Sequence, residues 1–146
     1  TNSSAETLTR LLNMGVPAFN VASSVTLIMA QRLARRLCPH CKQPHHIPDN
    51  ELLEMGYTHD EVTAGITLYK PIGCSECSNG YKGRVGIYQV MPISEEMQRI
   101  ILADGSALEI ATQAKLEGVR SLRESGLYKV KMGLTSLEEV LAVTNE

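Results

Sequence analysis

No apolar run in this sequence approaches the ~20 residues that a bilayer-crossing helix requires, so no membrane span is expected. Nor is a signal peptide expected in this stretch, because the opening TNSSAET has neither a basic start nor an apolar core. Neither sign of charge dominates. Fourteen Lys and Arg stand against sixteen Asp and Glu, a net charge of -2, which argues against a nucleic-acid protein working by bulk positive charge. Catalytic signatures are equally scarce. There is no G-x-x-x-x-G-K-[ST] or G-x-G-x-x-G phosphate loop, no H-E-x-x-H and no nucleophile motif. The chain also starts without Met on a polar turn that leads into a helix. It is therefore expected to be a fragment of a longer protein.

What is present suits one small domain with a real core, or two modules sharing an interface. Hydrophobic residues make up 43% and charged residues 21%, ordinary for a globular chain. Residues 4–14 read as a helix with Leu8, Leu11 and Leu12 on one face, capped near Ser4 or Ala5 and stopped by Gly15 and Pro17. A longer helix is expected over about 19–37, its polar stripe ending in arginines. From 38 to 91 the texture changes to Pro, Gly, His and Cys. Short helices are expected at 49–56 and from Thr58, and strands at 66–69 and 84–90. Past Pro92, Ser94, Ser106, Ser121 and Ser136 each precede an apolar run, and Glu109, Glu124 and Glu139 lie three places after the last three. That is the capping-box pattern, with Gly118 and Gly133 at expected helix ends. A compact bundle of four short helices follows. The fold class is mainly α with small β elements (α+β).

The four cysteines carry the strongest chemical signal. Cys38 and Cys41 form one Cys-x-x-Cys pair, and Cys74 and Cys77 form another. Two such turns present four thiolates, the ligand set of one structural zinc ion. Ser78, Asn79 and Gly80 allow the second turn to bend its amides toward sulfur, and Lys42, Lys82 and Arg84 are near enough in sequence to offset a doubly negative centre. A redox pair would ordinarily follow a strand and open a helix, whereas Cys38 is expected to follow a helix. Two disulfides would require an oxidising compartment. His40, His45, His46 and His59 could substitute as ligands, but four cysteines already close a site.

Other motifs have bland readings. Gly80, Gly83 and Gly86 fit a turn with close packing better than a phosphate cradle, and the six Met residues read as core filler. Arg32, Arg35 and Arg36 are ordinarily a solvated helix edge. The sharper reading is an interface for phosphate or an acidic partner. Cations there also suit a helix C-terminus.

Three stretches together resemble a known family. LTRLLNMGVPAFNVASSVTLIMAQRLARRLCPHC, GCSECSNGYKGRVGIYQVMPIS and GLTSLEEVLAVT are similar to the C-terminal region of the secretion ATPases. These comprise the extension motors of type IV pili (PilB-like) and their type II secretion relatives (GspE-like). The wording is closer to the pilus branch. The resemblance implies a hexameric ATPase parent that is cytoplasmic and peripheral to the inner membrane. It implies that 1–37 closes a RecA-like ATPase domain, that 38–91 is a tetracysteine zinc module, and that 92–146 is a C-terminal helical subdomain. One structural Zn2+ belongs to the fragment, and ATP and Mg2+ only to the full-length parent. The Walker A, Walker B and His-box histidine are absent, so the fragment is expected to hydrolyse no ATP alone. Implied partners are the rest of the ATPase, neighbouring subunits, an inner-membrane platform protein and regulators, with no nucleic acid. A binding module docking such a partner, or a zinc-ribbon nucleic-acid reader, are the competing classes. Loss of a ligand cysteine is expected to melt 38–91 and spare the helices.

Overall fold

A computed structural model describes residues 3–144. In chain order the elements begin with α1 (Ser4–Asn13), α2 (Ala18–Ser24), β1 (Leu27–Leu37), β2 (Gln43–His45), α3 (Asp49–Met55) and α4 (His59–Ala64). They continue with β3 (Leu68–Lys70), β4 (Tyr81–Pro92), α5 (Glu95–Leu102), α6 (Ala107–Leu116), α7 (Leu122–Lys131) and α8 (Leu137–Val143). The class is α+β. β1 pairs with β4 in one two-stranded sheet, and β2 pairs with β3 in another. Two compact units result, each discontinuous in sequence.

The first unit takes the chain up to Gln31 together with Tyr88–Leu122. Ser3 caps α1 by accepting the Glu6 N–H. Ser4, one place on, is buried, with its hydroxyl 3.3 Å from the carbonyl oxygens of both Ile28 and Gln89. Leu8, Val21, Ile28, Met91, Met97, Ile101 and Ile110 form the core. Each such burial is worth about 1.5–3 kcal/mol. Along β1 the side chains alternate, so Ile28 and Ala30 are buried while Leu27, Met29 and Gln31 are exposed. Gln31 donates to the Tyr88 hydroxyl at 3.3 Å, which places Tyr88 and Val90 on that same outer face. The face is apolar and open to solvent.

The second unit comprises Arg32–Ile87 and Arg123 onward. β2 and β3 run antiparallel with Pro44 opposite Tyr69. Leu52, Tyr57, Leu68, Ile87, Leu127, Val130 and Val140 are buried there. The Tyr57 hydroxyl donates to the Leu127 carbonyl at 2.8 Å. Burial, reinforced by the charge of Glu61, pushes its phenol well above the usual tyrosine range.

Several expectations require correction. The stretch 19–37 is not one helix: α2 ends at Ser24 and the arginines lie on β1. Leu, Met, Ala, Gln and Arg favour helix intrinsically, but pairing with β4 and burial of alternate residues override that preference. The α1 cap is Ser3 rather than Ser4 or Ala5. Four helices do form past Pro92, with α5 and α6 in the first unit and nearly all of α7, with α8, in the second. Ser106 and Glu109 make the full reciprocal box. Ser136 accepts the Glu139 N–H, but the Glu139 carboxylate is engaged elsewhere. Strands are found at the two expected places, displaced to 68–70 and lengthened to 81–92.

Candidate metal centre

Each cysteine pair is held by a different local device. Leu37 at the end of β1 donates its N–H to the Leu134 carbonyl, and Cys38 donates to Gly80, both at 2.9 Å. The Lys42 N–H returns to the Cys38 carbonyl at 3.1 Å and closes the first turn. The second pair leads into a two-residue turn in which Asn79 and Gly80 both have positive φ, 55° and 93°. Ser78 and Tyr81 exchange backbone hydrogen bonds across it, as in the tight hairpins that asparagine-glycine favours. Gly80 is confined from outside as well. A Cβ there would lie 2.4 Å from Pro71 Cβ and 2.8 Å from the Ile72 nitrogen.

These devices bring all four sulfurs together, within 4.8 Å of one another. Cys38 and Cys74 Sγ are 3.8 Å apart, Cys41 and Cys77 3.7 Å, and Cys74 and Cys77 3.6 Å. A disulfide needs ~2.0 Å, so no covalent bond joins them. Four sulfurs each ~2.3 Å from one ion would sit about 3.8 Å apart along the edges of a tetrahedron. Those three separations match that figure, the rest lie within 4.8 Å, and an all-thiol donor set is soft, suited to zinc or iron–sulfur chemistry. The residues present therefore fit a metal ion.

Backbone amides support the sulfurs: Gly73 N–H lies 3.4 Å from Cys41 Sγ, and Cys74 N–H 3.3 Å from Cys77 Sγ. The Glu76 amide draws the Cys74 thiol down, but desolvation and the thiols of Cys77, Cys38 and Cys41 push it up to about 12. Desolvation pushes Cys77 upward. The Cys74 N–H and thiol, with the Gly80 N–H and the Cys41 thiol, outweigh this and bring it down to about 7. The thiols therefore titrate as one interacting set. Like charges this close do not all develop without a cation among them.

Lys42 does not face the sulfurs. Its Nζ donates to the Gly133 carbonyl at 2.9 Å and lies 4.5 Å from the Tyr69 ring centroid. Lys82 and Arg84 are exposed on β4. Arg35 is taken up internally by Glu139 and by the Tyr81 ring, 4.2 Å from its guanidinium carbon. Arg36 is exposed and Arg32 partly so. Sequence reasoning missed the pairing of His40 with Glu76, 3.0 Å apart. The available signal was their shared place, third in each Cys-x-x-Cys turn.

Comparison with known proteins gives the family context. The family model described as type II/IV secretion system protein matches residues 1–142. Over 146 residues and the whole of this chain, it is 58% identical to the type IV pilus assembly ATPase PilB of Pseudomonas aeruginosa, covering 26% of that protein. Identity to the protein of the same name in Acinetobacter baylyi is 55%, over the whole chain and 25% of that protein. The type II secretion system protein E of Pseudomonas aeruginosa is 40% identical, again over the whole chain and 28% of that protein. The chain thus spans about a quarter of the length of the curated relatives it matches. With its match over nearly all residues, the chain belongs to the type II/IV secretion system protein family.

Proposed function

We propose that the chain is the C-terminal part of an ATPase motor that assembles type IV pili, and that Cys38, Cys41, Cys74 and Cys77 together hold one structural zinc ion. The observation that carries the metal reading is the spacing of the sulfurs, near the tetrahedral edge for zinc. The pilus branch is favoured by 58% identity to a pilus assembly ATPase against 40% to a type II secretion protein.

In this reading residues 1–37 close a RecA-like domain, 38–91 carry the zinc, and the helices of 92–146 are accessory. The parent is a hexameric ATPase at the cytoplasmic face of the inner membrane. Its partners are the rest of its own polypeptide, adjacent subunits, a membrane platform protein and regulators. The open face of Leu27, Met29, Tyr88 and Val90 supports a larger parent, because such apolar surface is ordinarily covered. Among the described residues no helix is long and apolar enough to cross a membrane. Of the expected interface arginines, Arg36 is the one whose exposed side chain suits an acidic contact, since Arg35 serves Glu139.

When bound, zinc would supply a crosslink and charge balance for the two cysteine turns; structural zinc contributes an apparent ~10–16 kcal/mol in small modules. The chain's own residues do the rest. Leu37, Cys38 and Lys42 tie the first turn to Gly80, Gly133 and Leu134, so the cysteine segment is braced and able to transmit motion. Atomic absorption on reduced, folded protein tests the metal: one zinc per chain is expected, and none would refute it. ATP hydrolysis tests the motor. The longer parent is expected to be active and this chain alone inactive; turnover by the chain alone would overturn the reading.

A further inference from the structure

We propose that His40 and Glu76 form a clasp across the two cysteine turns that slows release of the metal. The inference rests on the metal reading above and concerns residues outside the ligand set.

The two turns are unequally anchored. Cys38 is fully buried, and its turn is fixed by the bonds of Leu37 to Leu134 and of Lys42 to Gly133. On the second turn Cys74, Ser75 and Glu76 are exposed. A ligand on an exposed turn is the first that a competing chelator can displace, so departure of the second turn limits how long the ion stays. Glu76 sits on that turn, and its Oε2 lies 3.0 Å from His40 Nε2 on the anchored one. Both residues are third in their Cys-x-x-Cys segments, so the contact spans the turns at matched positions beside the sulfurs. With its proton on Nε2, the His40 ring donates to the carboxylate across the turns.

The side chains are 57% and 55% exposed, which limits the gain. Exposed pairs of this kind correspond to a factor of about 1.5 to 5, below the 10- to 100-fold typical of groups bonded directly to a ligand.

The test uses the zinc-loaded chain and a chromogenic chelator in excess, with the release rate read by absorbance. Glu76→Ala and His40→Ala are each expected to speed release about 1.5- to 5-fold, and the double variant to be no faster than the quicker single. Ser75→Ala, an exposed neighbour outside the tie, is expected to match the wild type. Zinc stoichiometry and far-UV circular dichroism should be unchanged throughout. Wild-type rates in both single variants, or effects that multiply in the double variant, would overturn the clasp while leaving the metal reading intact. A wild-type chain that binds no zinc would overturn the metal reading itself, and the clasp with it.

Discussion

Arg35 turns both its backbone and its side chain onto the carboxylate of Glu139, 104 residues away. The Arg35 N–H reaches Oε2 at 3.0 Å, while Nε and Nη2 reach Oε1 at 2.6 Å each. Glu139 is only 9% exposed. Thr135 adds a hydroxyl bond to the Arg35 carbonyl at 2.7 Å, so the end of β1 is fixed to the start of α8. Arg35→Met should leave a nearly buried carboxylate without its cation and cost about 1–3 kcal/mol, less than a fully buried pair because the guanidinium is half exposed. Urea unfolding checks this. A loss below ~0.5 kcal/mol would mean that solvent screens the pair as it does a surface one.

Cys74→Ser should abolish metal binding, and the structure extends the damage beyond 38–91. Leu37 and Lys42 lean on Leu134 and Gly133, so amide exchange should rise at Leu37, at Cys38 and in the first turn of α8. Exchange at Ile101 and Ile110, in the core of the first unit, should not change. Acceleration confined to the cysteine turns would show that the brace at Gly133 is independent of the metal.

Gly80→Ala should destabilise the protein by about 2–4 kcal/mol, combining a left-handed φ with overpacking. The new methyl would meet Pro71 within 2.4 Å. Retained zinc with an unshifted urea midpoint would contradict the close approach.

Tyr57→Phe removes the bond to Leu127 and should cost about 0.5–1.5 kcal/mol at neutral pH. The pH dependence is more diagnostic. The phenol is raised in the folded chain by burial first and Glu61 second, so its contribution is intact below the unfolded value of ~10 and is lost as pH rises above it. Urea titrations from pH 8 upward should show wild-type stability falling above pH ~10 and a flatter curve for Tyr57→Phe. Parallel curves would exclude Tyr57 as the titrating group.

The sequence was most informative where chemistry is local. Cys-x-x-Cys spacing made the sulfur cluster legible, and the serines before each apolar run located the starts of the later helices. It misled where pairing between distant segments decides the outcome. In LIMAQRLARRL the helix-favouring composition masked the alternation of buried Ile28, Ala30 and Ala34 with exposed neighbours, although Val25-Thr26 just before it is β-branched. Glu139 looked like a helix-capping residue because its spacing from Ser136 is right. Nothing within its own segment reveals that Arg35 claims the carboxylate instead.

The second unit draws its parts from either side of α5 and α6. A ribosome working at about 5–20 residues per second delivers Cys77 roughly 3–11 s before Gly133. Through that interval Leu37, Lys42 and Arg35 have no Leu134, Gly133 or Glu139 to bind. If the proposed zinc is taken up during synthesis, it arrives before the contacts that brace the cysteine segment, and α8 closes over it afterwards.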